Sequence, residues 1–105
     1  MKAYLAAHDS FISWLDQTAD PPTTAEVDQR LLDLAMCAAQ RGMLAVHWMF
    51  VVDGLVAYVG RRWPGNVLLS SCVARGFDLS AHWDVVRAAS EKAGDDLCSN
   101  LSSEN

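Results

Sequence analysis

The stretch MLAVHWMFVVDGLVAYVG, residues 43–60, decides how the whole chain is read. It is apolar almost throughout and long enough to raise a membrane span. Asp53 argues against one, because an aspartate near the centre of a span costs roughly 2.5–3.5 kcal/mol on insertion scales. Val46, Val51, Val52, Val56 and Val59 are β-branched, and Trp48, Phe50 and Tyr58 accompany them, a composition that suits strands. Asp53-Gly54 stands between two such runs, and both residues tolerate the positive φ of a two-residue hairpin turn. Around that turn Val52 faces Leu55, Phe50 faces Ala57 and Trp48 faces Val59. Val51 with Val56 and Met49 with Tyr58 line the other side. The expectation is a hairpin, apolar on both faces. The alternative is an all-α chain in which residues 43–60 form a buried helix.

Upstream, two helices are predicted. Tyr4, Leu5, His8, Phe11, Ile12 and Leu15 recur at three- and four-residue steps and so share one face. Pro21-Pro22 ends that helix, since a proline pushes its predecessor out of the helical region. Thr23 and Glu26 then have capping-box spacing at the head of a second helix. Val27, Leu31, Leu34, Ala35 and Ala38 form its apolar stripe, and Gly42 is its C-terminal stop.

Downstream, Pro64-Gly65 suits a type II turn. Residues 67–73 then read as a third strand, closed by Arg75-Gly76-Phe77. Asp78 or Ser80 caps a last helix whose inner face is Leu79, Trp83, Val86 and Ala89, with Gly94 at its end. The predicted fold is α+β: two N-terminal helices, a three-stranded antiparallel meander and a C-terminal helix. Residues 1–94 make one compact domain, and residues 95–105 a loosely ordered acidic tail.

A chain of 105 residues that is 51% apolar and 20% charged is large enough for a core of its own, which excludes disordered, collagen-like and disulfide-miniprotein classes. Three cysteines, at 37, 72 and 98, give no complete disulfide framework. With no secretory pattern at the N-terminus, a reducing, cytoplasmic setting with free thiols is expected. The net charge is −5, which disfavours direct attraction to nucleic acid or to an anionic membrane. That charge is segregated: residues 1–40 and 76–105 each carry a balance of −4, and residues 41–75 carry +3.

No pattern carries an obvious chemistry. His8, His47 and His82 lack metal-site spacing, and no Cys-x-x-Cys, Gly-x-Ser-x-Gly or phosphate-cradling glycine loop occurs. No cofactor, metal or catalytic residue is expected, and the chain is not read as an enzyme. The locally distinctive segment is Arg61-Arg62-Trp63-Pro64-Gly65-Asn66. Two guanidiniums beside an indole could clamp an anion, or could fold back onto helix carboxylates. Four tryptophans are more than such a core needs, so Trp14 and Trp63 are candidate partner anchors.

By size, acidity and missing chemistry, the expected function is occlusion. The chain would bind and inhibit or mask a larger protein, with nucleic-acid-handling machines a natural target, as anti-CRISPR, immunity and antitoxin proteins do. The expected partner-binding residues are Asp9, Trp14, Asp16, Asp28, Asp33, Arg61, Arg62, Trp63 and Asp84. Two other readings are a self-associating, chaperone-like or structural protein (a homodimer), and a small anionic-ligand site or enzyme at the Arg61–Asn66 turn.

Overall fold

The computed structural model describes residues 2–103, and every regular element among them is a helix. In chain order these are α1 (Lys2–Gln17), α2 (Thr24–Gln40), α3 (Ala45–Arg62), α4 (Val67–Ala74), α5 (Gly76–Ala81), α6 (Trp83–Ala93) and α7 (Leu97–Ser103). The three-stranded meander is therefore corrected, and with it the α+β class. Residues 45–62 are one helix, and the expected third strand is α4.

The reason lies in which residues of α3 are buried. They are Trp48, Val52, Leu55 and Val59, at steps of four, three and four, which is the helical period. A strand would have buried Phe50 with Trp48 and Val52, yet Phe50 is 68% exposed. Asp53 and Gly54 fall on the outer side of the helix. The cost of glycine there, about 1 kcal/mol against alanine, is a propensity term that packing overrides. Pro64-Gly65 does make the expected turn, with Gly65 at φ +81°, but it joins two helices.

α2 is the axis of the fold and touches all six other helices. Its buried face includes Ala35, Ala38 and Ala39, small side chains that let neighbouring backbones approach. Its ends follow the sequence: the Thr23 hydroxyl oxygen accepts from the Glu26 backbone N–H at 3.2 Å, and Gly42 takes φ +89° beyond the last turn.

α3 is bound to the rest by two tryptophans. Trp48 is fully buried, stacks on Trp83 at 5.7 Å between ring centroids, and donates its indole N–H to the Gly76 carbonyl at 2.9 Å. Trp83 in turn donates to the Met43 carbonyl at 2.8 Å. Gly76 opens α5 where a side chain would not fit. A Cβ there would lie 2.9 Å from Val52 Cγ2 and 3.2 Å from Leu31 Cδ2.

The segment read as a loose tail contains α7, which packs along α1 and against α2. Ser10 donates its hydroxyl to the Leu101 carbonyl at 3.0 Å, and Cys98 is buried and joined to Cys37, their Cα atoms 5.2 Å apart. The expectation of three free thiols is corrected: Cys72 alone is free. Sequence spacing hid this pair because 61 residues separate its members, and only the return of α7 to α2 brings them together. Glu104 and Asn105, at the end of the expected tail, lie outside the described residues.

Two stability measurements test this architecture. Gly76→Ala forces Val52 or Leu31 to move and should cost about 1–3 kcal/mol in urea unfolding. Gly54→Ala meets nothing within 4 Å and should stabilise the helix by about 0.5–1 kcal/mol. In an Asp-Gly hairpin the same change would destabilise, because alanine resists positive φ. Separately, Cys98→Ser should lower the unfolding free energy by about 4 kcal/mol, the loop-closure value for a bridge of this span. Reductant should lower the thermal midpoint of the wild type toward that of Cys98→Ser and leave the variant unmoved.

Candidate functional site

The nine residues expected to bind a partner are spread over α1, α2, α3, the turn that follows it and α6. Asp9 and Asp84 are exposed, on α1 and in the first turn of α6, with no hydrogen bond or ion pair among the described residues. Asp16 accepts a hydrogen bond from the Tyr58 hydroxyl and so ties α1 to α3. Asp33 accepts from Gln29 Nε2 at 3.0 Å, one turn away on α2. Asp28 takes both its oxygens to Arg75, at 2.8 and 2.9 Å, and accepts from the Cys72 thiol at 3.1 Å. Three of the five carboxylates thus hold helices or turns of this chain.

The Arg61–Asn66 segment is also engaged inward. Arg62 donates to the Thr18 carbonyl at 2.6 Å and lies over the Trp63 ring at 4.9 Å. Trp63 is half-buried, packs against the core and donates to the Ala19 carbonyl at 3.4 Å. Together they fasten the end of α3 to the loop between α1 and α2. Asn66 caps α4 through Leu69 N–H at 3.0 Å. Arg61 makes no hydrogen bond or ion pair among the described residues, so the two guanidiniums do not act as a pair. Trp14 is likewise half-buried, edge-on to Phe11 and covered by the Arg30 guanidinium at 4.2 Å. Both candidate anchors carry an arginine on the ring face that a partner would have used.

Groups with reactive potential are restrained. Cys72 is buried, and burial first, with the Asp28 carboxylate second, pushes its thiol up to about 11. A thiol held protonated in this way is a poor nucleophile. His8 is half-buried, and desolvation lowers its pKa, opposed by Asp9 nearby. No group of three or more His, Cys, Asp or Glu side chains among the described residues is placed to hold a metal ion.

The surface holds shallow grooves. One, of about 200 Å³, is lined by Leu31, Leu32, Gly76 and Leu79, with the Asp28–Arg75 pair at its rim. Large apolar side chains also stand in solvent, notably Phe50 and Val46 on α3 and Val67 and Leu68 on α4. The sequence reading missed these because it assigned their segments to a sheet. At 100° per residue Val46, Phe50 and Ala57 fall opposite Trp48, Val52 and Val59, but both sets are apolar, so the pattern alone does not tell the outer face from the inner one.

The Asp28 cluster generates a pH test. Hydrogen bonds from Cys72 first and Arg75 second favour the carboxylate and hold its pKa below the ordinary 3.8. A depressed folded-state value stabilises the fold above the unfolded pKa and is lost as pH falls through the folded one. The stability difference between wild type and Asp28→Asn should be steady near neutrality and shrink once pH drops below 3.8. The pair is about half exposed, so the difference is small. Acid titration of both proteins by urea unfolding checks it.

No protein-family model matches this chain, and neither the curated proteins nor the solved structures contain a match, so its function is read from its own residues.

Proposed function

We propose that the chain is a small non-catalytic binding protein that masks a larger protein partner whose own surface is basic. A nucleic-acid-handling protein is the target class that best fits that chemistry. The observation that carries this reading is how the two signs of charge are used. Arg30, Arg41, Arg62 and Arg75 are all laid against this chain, on an indole, on backbone carbonyls or on Asp28. Asp9, Asp20, Asp84, Asp95 and Asp96 instead stand exposed, their side chains without a hydrogen bond or ion pair among the described residues. Four of the six arginines are thus fixed as structural groups, Arg61 and Arg87 stand exposed, and these carboxylates remain available to a cationic surface. Exposed carboxylates raise association rates with basic grooves and set specificity.

Of the expected contact set, Asp9 and Asp84 remain in this proposal as interface residues. Asp16, Asp28 and Asp33 serve it indirectly, by holding the helices that present the others. The proposed setting is the cytoplasm; the Cys37–Cys98 bond pulls the other way. Among the described residues, no helix is long and apolar enough to cross a membrane.

The test is capture by the tagged chain from a nuclease-treated lysate of its source cells. A stoichiometric protein should be retained at low salt and released at about 1 M, where the screening length is only about 3 Å. Asp9→Lys with Asp84→Lys should weaken capture severalfold without loss of helicity. Equal retention by wild type and the reversed chain, or recovery of the bait alone, would refute the reading.

A further inference from the structure

We propose that the outer face of α3 is a self-association surface, on which a second copy of this chain packs antiparallel with Ala57 at the crossing. The proposal goes beyond the masking role and rests on a different part of the molecule. At 100° per residue, Phe50, Asp53, Gly54, Ala57, Gly60 and Arg61 fall within about 120° of one another. All six are exposed, and the buried Trp48, Val52, Leu55 and Val59 occupy the other side. Val46, 51% exposed, extends the same face by one turn.

The order of residues along this face is complementary to itself when reversed. Gly54 and Gly60 lie three positions either side of Ala57, and Asp53 and Arg61 lie four positions either side. A two-fold axis through Ala57 therefore sets Asp53 of each copy level with Arg61 of the other. The two glycines leave the floor between them clear: a Cβ at either would meet nothing within 4 Å. Small residues at the crossing allow the axes to approach to about 8 Å, the short end of the helix-packing range. At that separation an arginine reaches across to the opposing aspartate. Beyond the charges, Phe50 covers the C-terminal end of α3 in the other copy, which removes an aromatic ring from water.

Charge fixes the occupant and the direction. Asp53 and Arg61 have no hydrogen bond or ion pair within the described residues. Their separation along α3, roughly 12 Å, prevents them from pairing with each other. A parallel arrangement would set Asp53 against Asp53 and Arg61 against Arg61, so only the antiparallel one is attractive. A single helix pair lies at the low end of interface sizes, near or below roughly 1,200 Å² in total, so the dimer forms and dissociates with concentration.

Sedimentation velocity from micromolar to millimolar concentration tests the proposal. Wild type should move from monomer toward dimer over that range. Asp53→Arg places two arginine pairs across the axis, and Arg61→Asp places two aspartate pairs, so each alone should weaken dimerisation at least tenfold. Mixed in equal amounts, the two variants carry complementary charges at both contacts and should form a heterodimer about as readily as wild type self-associates. Both substitutions are at exposed positions, and unchanged helicity by circular dichroism serves as the folding control. The proposal is overturned if wild type stays monomeric to millimolar concentration. Single variants that dimerise like wild type, or a mixture that stays monomeric, overturn it as well.

Discussion

The absence of a side chain at Gly76 is the constraint on which the rest of the fold depends. It lets the first turn of α5 press directly on Val52 of α3 and Leu31 of α2. At that contact the Gly76 carbonyl accepts the Trp48 indole N–H, which would otherwise be a buried, unpaired donor. Trp48 can then be wholly inside the protein, with Trp83 stacked on it and bonded to Met43. The close approach at Gly76 and the tryptophan pair beside it thus bring α2, α3, α5 and α6 together. Because α3 is held by its inner face at this point, its outer face carries no structural duty. The exposed Phe50, Asp53 and Arg61 are the result.

How much of this the sequence reveals depends on whether a signal is local. Thr23 and Glu26, Gly42, Pro64-Gly65 and Gly94 all act where the residues suggest, because caps and turns are set by a few adjacent backbone angles. Residues 43–60 misled because valines and aromatics fit period 2 and period 3.6 equally well at that density. Only the exposure of Phe50 and Ala57 separates the two readings, and exposure is a tertiary property. Asp53-Gly54 added a turn signal that the helix overrides, since nothing nearby supplies strands for it to join. In the C-terminal segment, Leu97 and Leu101 are one helical turn apart, with Cys98 beside them, but the partner surface on α1 and α2 lies far away in sequence.

The candidate site was legible in the same uneven way. Asp28 and Arg75 are 47 residues apart, so no spacing rule anticipates the ion pair between them. Nor does local sequence show that Arg62 and Trp63 would turn back onto Thr18 and Ala19. What composition did show was the segregation of sign, with a basic middle between acidic flanks. The structure gives that pattern a cause: Arg62 and Arg75 sit at the ends of α3 and α4, where they reach the α1–α2 loop and α2 and stitch the middle of the chain to its beginning.

That division of labour holds an acidic small protein together while leaving carboxylates exposed. Arginine suits the internal role, since one planar guanidinium satisfies a carboxylate with two bonds or covers an indole while its stem packs. Arg75 Nη2 donates to both oxygens of Asp28, and Trp14 and Trp63 each carry a guanidinium over the ring. Each arginine used this way leaves the short carboxylates elsewhere without an intramolecular competitor. Arg61, like Arg87, departs from this pattern: it stands on the outer face of α3 with no hydrogen bond or ion pair among the described residues. A cation left free where its neighbours are bound points outward to another surface. The aspartate placed eight residues before it, on the same face, is what a second copy would present.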